Sequence, residues 1–237
     1  MTKVDLRNNF SVVKERVEGA AKRCGRDAKD ITIVAVSKTH TVDYIINGME
    51  AGVEIFGENY VQELRDKHGF LTENNLPQPE WHYIGHLQRN KVKYIAPFVS
   101  IIHSVDSERL AEEISKQAQK TGRIIDILLQ VNTSGEDSKS GCEPGDTESM
   151  LKNIINIDNL CILGLMTIGS FSEDEDIYRK EFRLLRSVRD ELQSKFPEVN
   201  LKHLSMGMTH DYEAAIEEGA TIVRVGTAIF GQRFYKQ

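Results

Sequence analysis

The chain has 237 residues, of which 40% are hydrophobic and 28% charged, so it is neither a disulfide-stapled mini-domain nor a disordered chain. At this length folding buries roughly three quarters of the unfolded surface, and a single α/β barrel uses about 250 residues. The 30 Lys and Arg against 36 Asp and Glu leave a formal net charge of -6, which disfavours non-specific binding to nucleic acid. Residues 1–8 contain no apolar signal core. No run of about 18 apolar residues occurs, so no membrane span is expected. Cys24, Cys142 and Cys161 are odd in number, widely spaced and form no Cys-x-x-Cys. That usage fits a reducing cytoplasm, where the sequon at Asn132-Thr133-Ser134 has no meaning.

Residues near 4–25 read as a first helix, with Val4, Phe10, Val13 and Val17 on roughly one side. Residues 31–38 are short, apolar and β-branched, and read as a buried strand ending at Lys38. A helix follows near 42–51, and further strands are expected near 53–58, 80–85, 99–105, 123–132, 161–168, 202–206 and 221–225. Helices lie between them, the longest near 174–195, with Ser172 as its N-cap. Glu173, Asp174, Glu175 and Asp176 crowd that helix start, where carboxylates suit the positive end of the dipole. About eight strand–helix units with little left over predict a single (β/α)8 barrel, of the TIM type, over residues 1–237. The competing doubly wound sheet lacks its Gly-x-Gly-x-x-Gly after the first strand. No linker, low-complexity stretch or internal repeat divides the chain.

Functional groups of parallel α/β folds gather at the carboxyl ends of strands. Alternation puts Lys38 on the same face as Thr32, Val34 and Val36. Either its ammonium snorkels into water, the commoner fate of a lysine, or it is held over an apolar interior. Burial would then lower its pKa and leave an amine able to form a Schiff base with an aldehyde. Near the other end stand His203-Leu-Ser-Met-Gly207 and Val223-Arg-Val-Gly-Thr227, at the ends of the seventh and eighth strands. The loops after those strands commonly bind phosphate in such barrels. Ser205 offers a hydroxyl, and Gly207, Gly226 and Thr227 offer backbone N–H groups that an anion can approach. The alternative is that the glycines only make tight turns. A lysine facing a phosphate cup suggests pyridoxal 5′-phosphate (PLP), whose ring nitrogen also needs a partner. Arg224 is the candidate: a permanent cation keeps that nitrogen unprotonated and weakens the ring as an electron sink. Its alternative is a salt bridge to an acidic loop residue.

At this point the chain resembles the pyridoxal phosphate homeostasis proteins over nearly its whole length. The resemblance rests on Val34-Ala-Val-Ser-Lys-Thr39, Phe56-Gly-Glu-Asn-Tyr-Val-Gln-Glu63 and Trp81-His-Tyr-Ile-Gly-His-Leu-Gln88. It continues through Val131-Asn-Thr-Ser-Gly-Glu-Asp-Ser-Lys-Ser-Gly141, Gly164-Leu-Met-Thr-Ile-Gly169, Leu204-Ser-Met-Gly-Met208 and Val223-Arg-Val-Gly-Thr-Ala-Ile-Phe-Gly231. Several ordered motifs together are specific where each alone is weak. The resemblance implies a barrel like the alanine racemase N-terminal domain (fold type III among PLP proteins). It implies that Lys38 carries the cofactor as an internal aldimine and that Ser205, Gly207, Gly226 and Thr227 bind its phosphate. Arg224 would face the ring nitrogen, and Asn59 would line the ring pocket. It also implies a role in cofactor homeostasis and supply, with effects on amino-acid and keto-acid balance and no established reaction. Family members often carry Pro where this chain has His40-Thr41, and Ser where it has Thr209; neither departure is expected to touch the anchors.

Racemisation needs a base on each face of the substrate carbon. Lys38 supplies one, whereas only residues 232–237 follow the last barrel motif, so no second domain is expected to bring the other. Tyr235 is a poor substitute so near a terminus. A monomeric carrier that passes PLP to apo-enzymes is therefore expected. The competing readings are a weak PLP racemase or lyase, a sugar-phosphate enzyme without PLP, and a pure interaction protein. Other signals carry less. His82 and His86 sit four apart on a strand end, not in a helical His-Glu-x-x-His, so no metal site is expected, although His86 could edge the pocket. His203 reads as a core or lumen histidine and not as a base. Gly135 to Gly141 is not a Walker loop, because Cys142 follows where Lys-Ser/Thr is required. Ser138, Lys139 and Ser140 read as a mobile loop beside the mouth, and Arg89, Lys91 and Lys93 with Tyr94 as a solvated basic face.

Overall fold

The computed structural model describes residues 3–136 and 139–231, except for the side chains of Lys3 and Val4. Ser138, Tyr235 and the side chain of Val4, all weighed above, lie outside the described residues. The strands are β1 (Thr32–Val36), β2 (Ile55–Glu58), β3 (Glu80–Tyr83), β4 (Ile101–Val105), β5 (Ile125–Gln130), β6 (Leu160–Met166), β7 (His203–Ser205) and β8 (Ile222–Val225). They pair in chain order, parallel throughout, and β1 closes on β8 to complete the barrel. The helices are α1 (Lys3–Arg23), α2 (Val42–Glu50), α3 (Val61–Glu73), α4 (Glu108–Thr121), α5 (Thr147–Ile154), α6 (Glu175–Lys195), α7 (Tyr212–Glu217) and α8 (Thr227–Phe230).

Spacings of three and four residues explain α1. Leu6, Phe10, Val13, Val17, Ala20 and Ala21 make one buried stripe, which packs on α2, α7 and α8. Arg16 and Arg23 add ion pairs to Glu213 and Glu217. Helix α4 ends where Gly122 takes φ 66°, the left-handed cap that glycine tolerates.

Three expectations are corrected. The connection between β3 and β4 is a 3-10 helix, Arg89–Tyr94, not an α-helix. It has room for only about two turns before Pro97, and Arg65, Lys91 and Lys93 gather over the Tyr94 ring. The N-cap of α6 is Asp174, whose carboxylate accepts from Asp176 N–H at 3.0 Å. Ser172 instead accepts from Asp174 N–H, one turn earlier. Finally, β1 stops at Val36. Ser37 N–H still donates to Gly57 O at 3.1 Å, but Thr39 takes φ 69° and turns the chain away, so Lys38 sits in the turn after the strand.

Period-two alternation divides the core. One face of the strands packs under the helices, with Phe56, Trp81, Tyr83 and Ile102 among its buried residues. The other face fills the lumen with Val34, Ile101, Leu128, Met166 and Ile222. The same parity on β3, β4, β7 and β8 places His82, His103, Ser205 and Arg224, all buried, in the barrel interior. Half of the lumen is therefore hydrocarbon and half is polar.

Candidate functional site

A cavity of about 920 Å³ opens at the carboxyl ends of the strands. Val36 and Lys38 from the end of β1, Asn59 after β2, Ile84 after β3 and Arg224, Gly226 and Thr227 at β8 line it. Lys38, Asn59, Arg224, Gly226 and Thr227 thus line one cavity. Ser205 and Gly207 lie behind its wall. Ser205 is fully buried, and its hydroxyl receives Arg224 Nη1–H at 2.7 Å and contacts His103 Nδ1 at 2.9 Å. Gly207 has φ 89°, and a Cβ there would come within 2.5 Å of Ala215 Cβ and 2.9 Å of Tyr212 Cα. The glycine is needed for β7 to turn tightly against α7, which is a packing reason and not a ligand one.

The wall gains residues that the motif argument did not assign. Met208, Thr209 and His210 line the cavity. Contrary to expectation, Thr209 touches an anchor: its Oγ1 accepts from Gly226 N–H at 3.2 Å. Asp211, buried, accepts from Met208 N–H at 2.5 Å and holds this loop. Burial raises the Asp211 pKa. Across the mouth stand Ile168, Phe171, Ser172, Glu173 and Tyr178. Their loop is pinned by Glu181, whose Oε2 accepts from Ser170 N–H at 2.7 Å. Phe171 is 92% exposed, and it and Tyr178 contact the His210 ring. No spacing rule marks these residues.

The electrostatics favour an anionic ligand. Arg224 is buried, and burial lowers its pKa to about 10, which leaves it charged at neutral pH. Its Nη2–H donates to Thr167 O at 2.8 Å. Among the described residues no carboxylate contacts the guanidinium, so the salt-bridge alternative is not what the structure contains. Asn59 Oδ1 is buried without a hydrogen-bond partner, a cost that a bound polar group would remove. Behind Lys38, Ser37 Oγ–H donates to Glu58 Oε1 at 2.6 Å, and Lys67 Nζ reaches Glu58, Glu63 and Ser37 O. Thr39 N–H donates to Glu63 at 2.6 Å. Both neighbours of Lys38 are therefore fixed by one buried ion cluster.

The declined signals fall elsewhere. His82 is in the lumen, whereas His86 is 59% exposed beside Asp106 and Ser140 and does not line this cavity. His203 contacts Thr221 Oγ1, and burial lowers its pKa to about 4. Lys139 pairs with Glu136 and donates to Gly169 O. Among the described residues no cluster of three His, Cys, Asp or Glu could hold a metal ion, and no helix is long and apolar enough to cross a membrane.

A lysine just after the first strand and an arginine on the last thus face one cavity at the carboxyl end of the barrel. Residues 5–234 match the sequence model of the alanine racemase N-terminal domain. The chain is 45% identical to a pyridoxal phosphate homeostasis protein of Aquifex aeolicus, over 95% of this chain and 97% of that protein. A crystal structure of an unknown protein from Bifidobacterium adolescentis superposes with TM-score 0.89 at 38% identity, covering 96% of this chain and 95% of that one. PipY of Synechococcus elongatus, solved with PLP bound, superposes with TM-score 0.80 at 35% identity, covering 92% of this chain and 100% of that one. The chain belongs to the pyridoxal phosphate homeostasis protein family, whose curated members are named for homeostasis of the cofactor and not for a reaction.

Proposed function

We propose that the chain binds PLP reversibly through Lys38, in the cavity described, and serves its storage and supply inside the cell. The observation that carries this reading is the convergence of Lys38, Asn59, Arg224, Gly226 and Thr227 on one wall. The Lys38 amine adds to the cofactor's aldehyde carbon, a C=N bond forms and water leaves; hydrolysis reverses the step. When bound, the group supplies an electron-withdrawing ring that can stabilise a carbanion. Arg224 opposes that use by keeping a cation against the ring nitrogen. Asn59, whose buried Oδ1 has no partner, meets the ring's polar edge. The phosphate is held by Thr209 and Thr227. Thr209 Oγ1 accepts from Gly226 N–H, and its own O–H would then donate to the phosphate. The Thr227 N–H, in the first turn of α8, has no intrahelical acceptor. Ser205 and Gly207 act on this wall from behind.

Delivery to apo-enzymes by a monomer completes the reading, with effects on amino-acid and keto-acid balance following from cofactor supply. It is supported by the cavity's opening at the strand ends. The relatives' names support a carrier over a racemase or lyase. Titration with PLP should produce a visible absorption band, and borohydride should then trap one cofactor on Lys38 by mass spectrometry. Lys38→Ala should lose both signals. A wild-type protein that takes up no PLP would overturn the reading, and rapid turnover of an amino acid would replace it with the enzyme alternative. Thr209→Val should weaken PLP retention roughly tenfold, the effect of one hydrogen bond to a charged group, while Thr209→Ser should retain it.

A further inference from the structure

A row of hydrogen bonds runs through the lumen from one mouth of the barrel to the other. At the cavity floor Arg224 Nη1–H donates to Ser205 Oγ at 2.7 Å. Ser205 Oγ lies 2.9 Å from His103 Nδ1, and His103 Nε2 lies 3.0 Å from His82 Nδ1. His82 Nε2 then lies 3.0 Å from Oε1 of Glu80, the first residue of β3 at the opposite mouth. Four strands contribute, and the contact between His103 and Ser205 joins residues 102 apart in the chain.

The ends of the row dictate its direction. A guanidinium only donates and a carboxylate only accepts. Facing Glu80, His82 must carry its proton on Nε2, so a neutral His82 presents a bare Nδ1. His103 must then donate from Nε2, which leaves its own Nδ1 bare to accept the Ser205 hydroxyl hydrogen. Among the described residues that hydrogen has no other acceptor in contact. Each of the four contacts then has one donor and one acceptor, and each dipole turns its negative end toward Arg224.

We propose that His103 and His82, acting through Ser205, are positioning residues for Arg224: a one-way relay that holds the buried guanidinium in the cavity floor and couples it to Glu80. The relay supplies what the site lacks, since among the described residues no carboxylate contacts this cation. A neutral His103 agrees with its burial and with the Arg224 cation nearby, which both hold its pKa below the usual histidine value. The Glu80 carboxyl is held below its ordinary pKa, chiefly by its hydrogen bond from His82. The relay's own geometry stands without a cofactor; its effect on PLP rests on the reading above.

The imidazole 15N spectrum of the uniformly labelled, unliganded protein tests the relay, with the two rings assigned from His82→Gln and His103→Gln. Both His82 and His103 should be neutral Nε2–H tautomers at neutral pH. A charged His82, or a His103 protonated on Nδ1, would reverse the row and overturn the proposal. Two variants then test positioning. In His103→Gln the amide oxygen can accept from Ser205 and the amide N–H can donate to His82, so the row survives. In His103→Leu it is cut. His82 should keep its tautomer only in His103→Gln, and PLP should bind about tenfold more weakly to His103→Leu than to His103→Gln. Equal behaviour of the two variants, both folded by circular dichroism, would overturn the proposal. If His103→Leu does not fold, the wild-type tautomers still decide. Absence of PLP uptake by the wild type would sink the cofactor reading alone and leave the tautomer result standing.

Discussion

Lys67→Met should destabilise the protein by about 3–5 kcal/mol in denaturant unfolding, the cost of leaving one member of a buried ion pair without its partner. Lys67 is 5% exposed and Glu58 is fully buried. The Lys67 ammonium lies 2.6 Å from Glu58 Oε1 and 2.7 Å from Glu63 Oε1, and donates to Ser37 O at 2.9 Å. Without it, Glu58 would keep only the Ser37 hydroxyl, while its Oε2 already has no partner. The double variant Glu58→Gln/Lys67→Met should recover a large part of the loss, because both charges are then gone. A Lys67→Met protein as stable as wild type would show that the cluster contributes nothing.

The same cluster gives a signed pH dependence. Burial pushes the Glu58 pKa up from 4.5 to about 7, against the opposing pull of Lys67. Between those two values the folded protein holds a proton at Glu58 that the unfolded chain has released. This group therefore makes stability fall as pH rises through that window, and its full stabilising share is present only at the acid end. Glu58→Gln should remove that contribution, which is read as the difference in pH slope between wild type and variant. Identical slopes would refute the assignment. The cluster also bears on function. Ser37 and Thr39 flank Lys38, and Glu63 fixes the left-handed Thr39 through its N–H. Loosening the cluster should free the lysine turn and lower PLP retention along with stability.

Gly85→Ala should damage the site from a position that holds no functional group. A Cβ at Gly85 would stand 2.2 Å from Asn59 O and 2.7 Å from Asn59 Cα. These are backbone atoms, so no flexible side chain can move aside. Tyr83 bridges the same two loops, donating toward Asn59 O at 2.9 Å and His86 O at 3.1 Å. The methyl would wedge this clamp open and shift Asn59, which sits on the cavity wall. A loss of about 1–3 kcal/mol is expected from overpacking, with PLP retention falling more steeply than stability. Gly69→Ala is the control: it lies within α3 with nothing within 4 Å of its added carbon. There alanine should be neutral or stabilise by up to about 1 kcal/mol. A Gly85→Ala protein with the Tm and PLP affinity of wild type would refute the clamp.

Much of the architecture was legible in the amino-acid order because its causes are local. Short β-branched runs alternating with amphipathic stretches specify strand, helix and chain-order pairing, and period-two parity carries Val36 to the cavity and Arg224 to its floor. What stayed hidden depends on partners far apart in sequence and on single dihedral angles. Parity alone could not tell that Ser205 meets Arg224 and His103 inside the lumen while Thr209 reaches the wall, since a turn at Gly207, φ 89°, decides it. In the sequence His82 stands out only beside His86, and His103 carries no signal; barrel closure sets the two rings end to end between Glu80 and Ser205. Lys67 carried no signal in the sequence, and only the packing of α3 on β2 buried it against Glu58. Local spacing chooses which face a side chain shows; only the closed barrel chooses what it meets there.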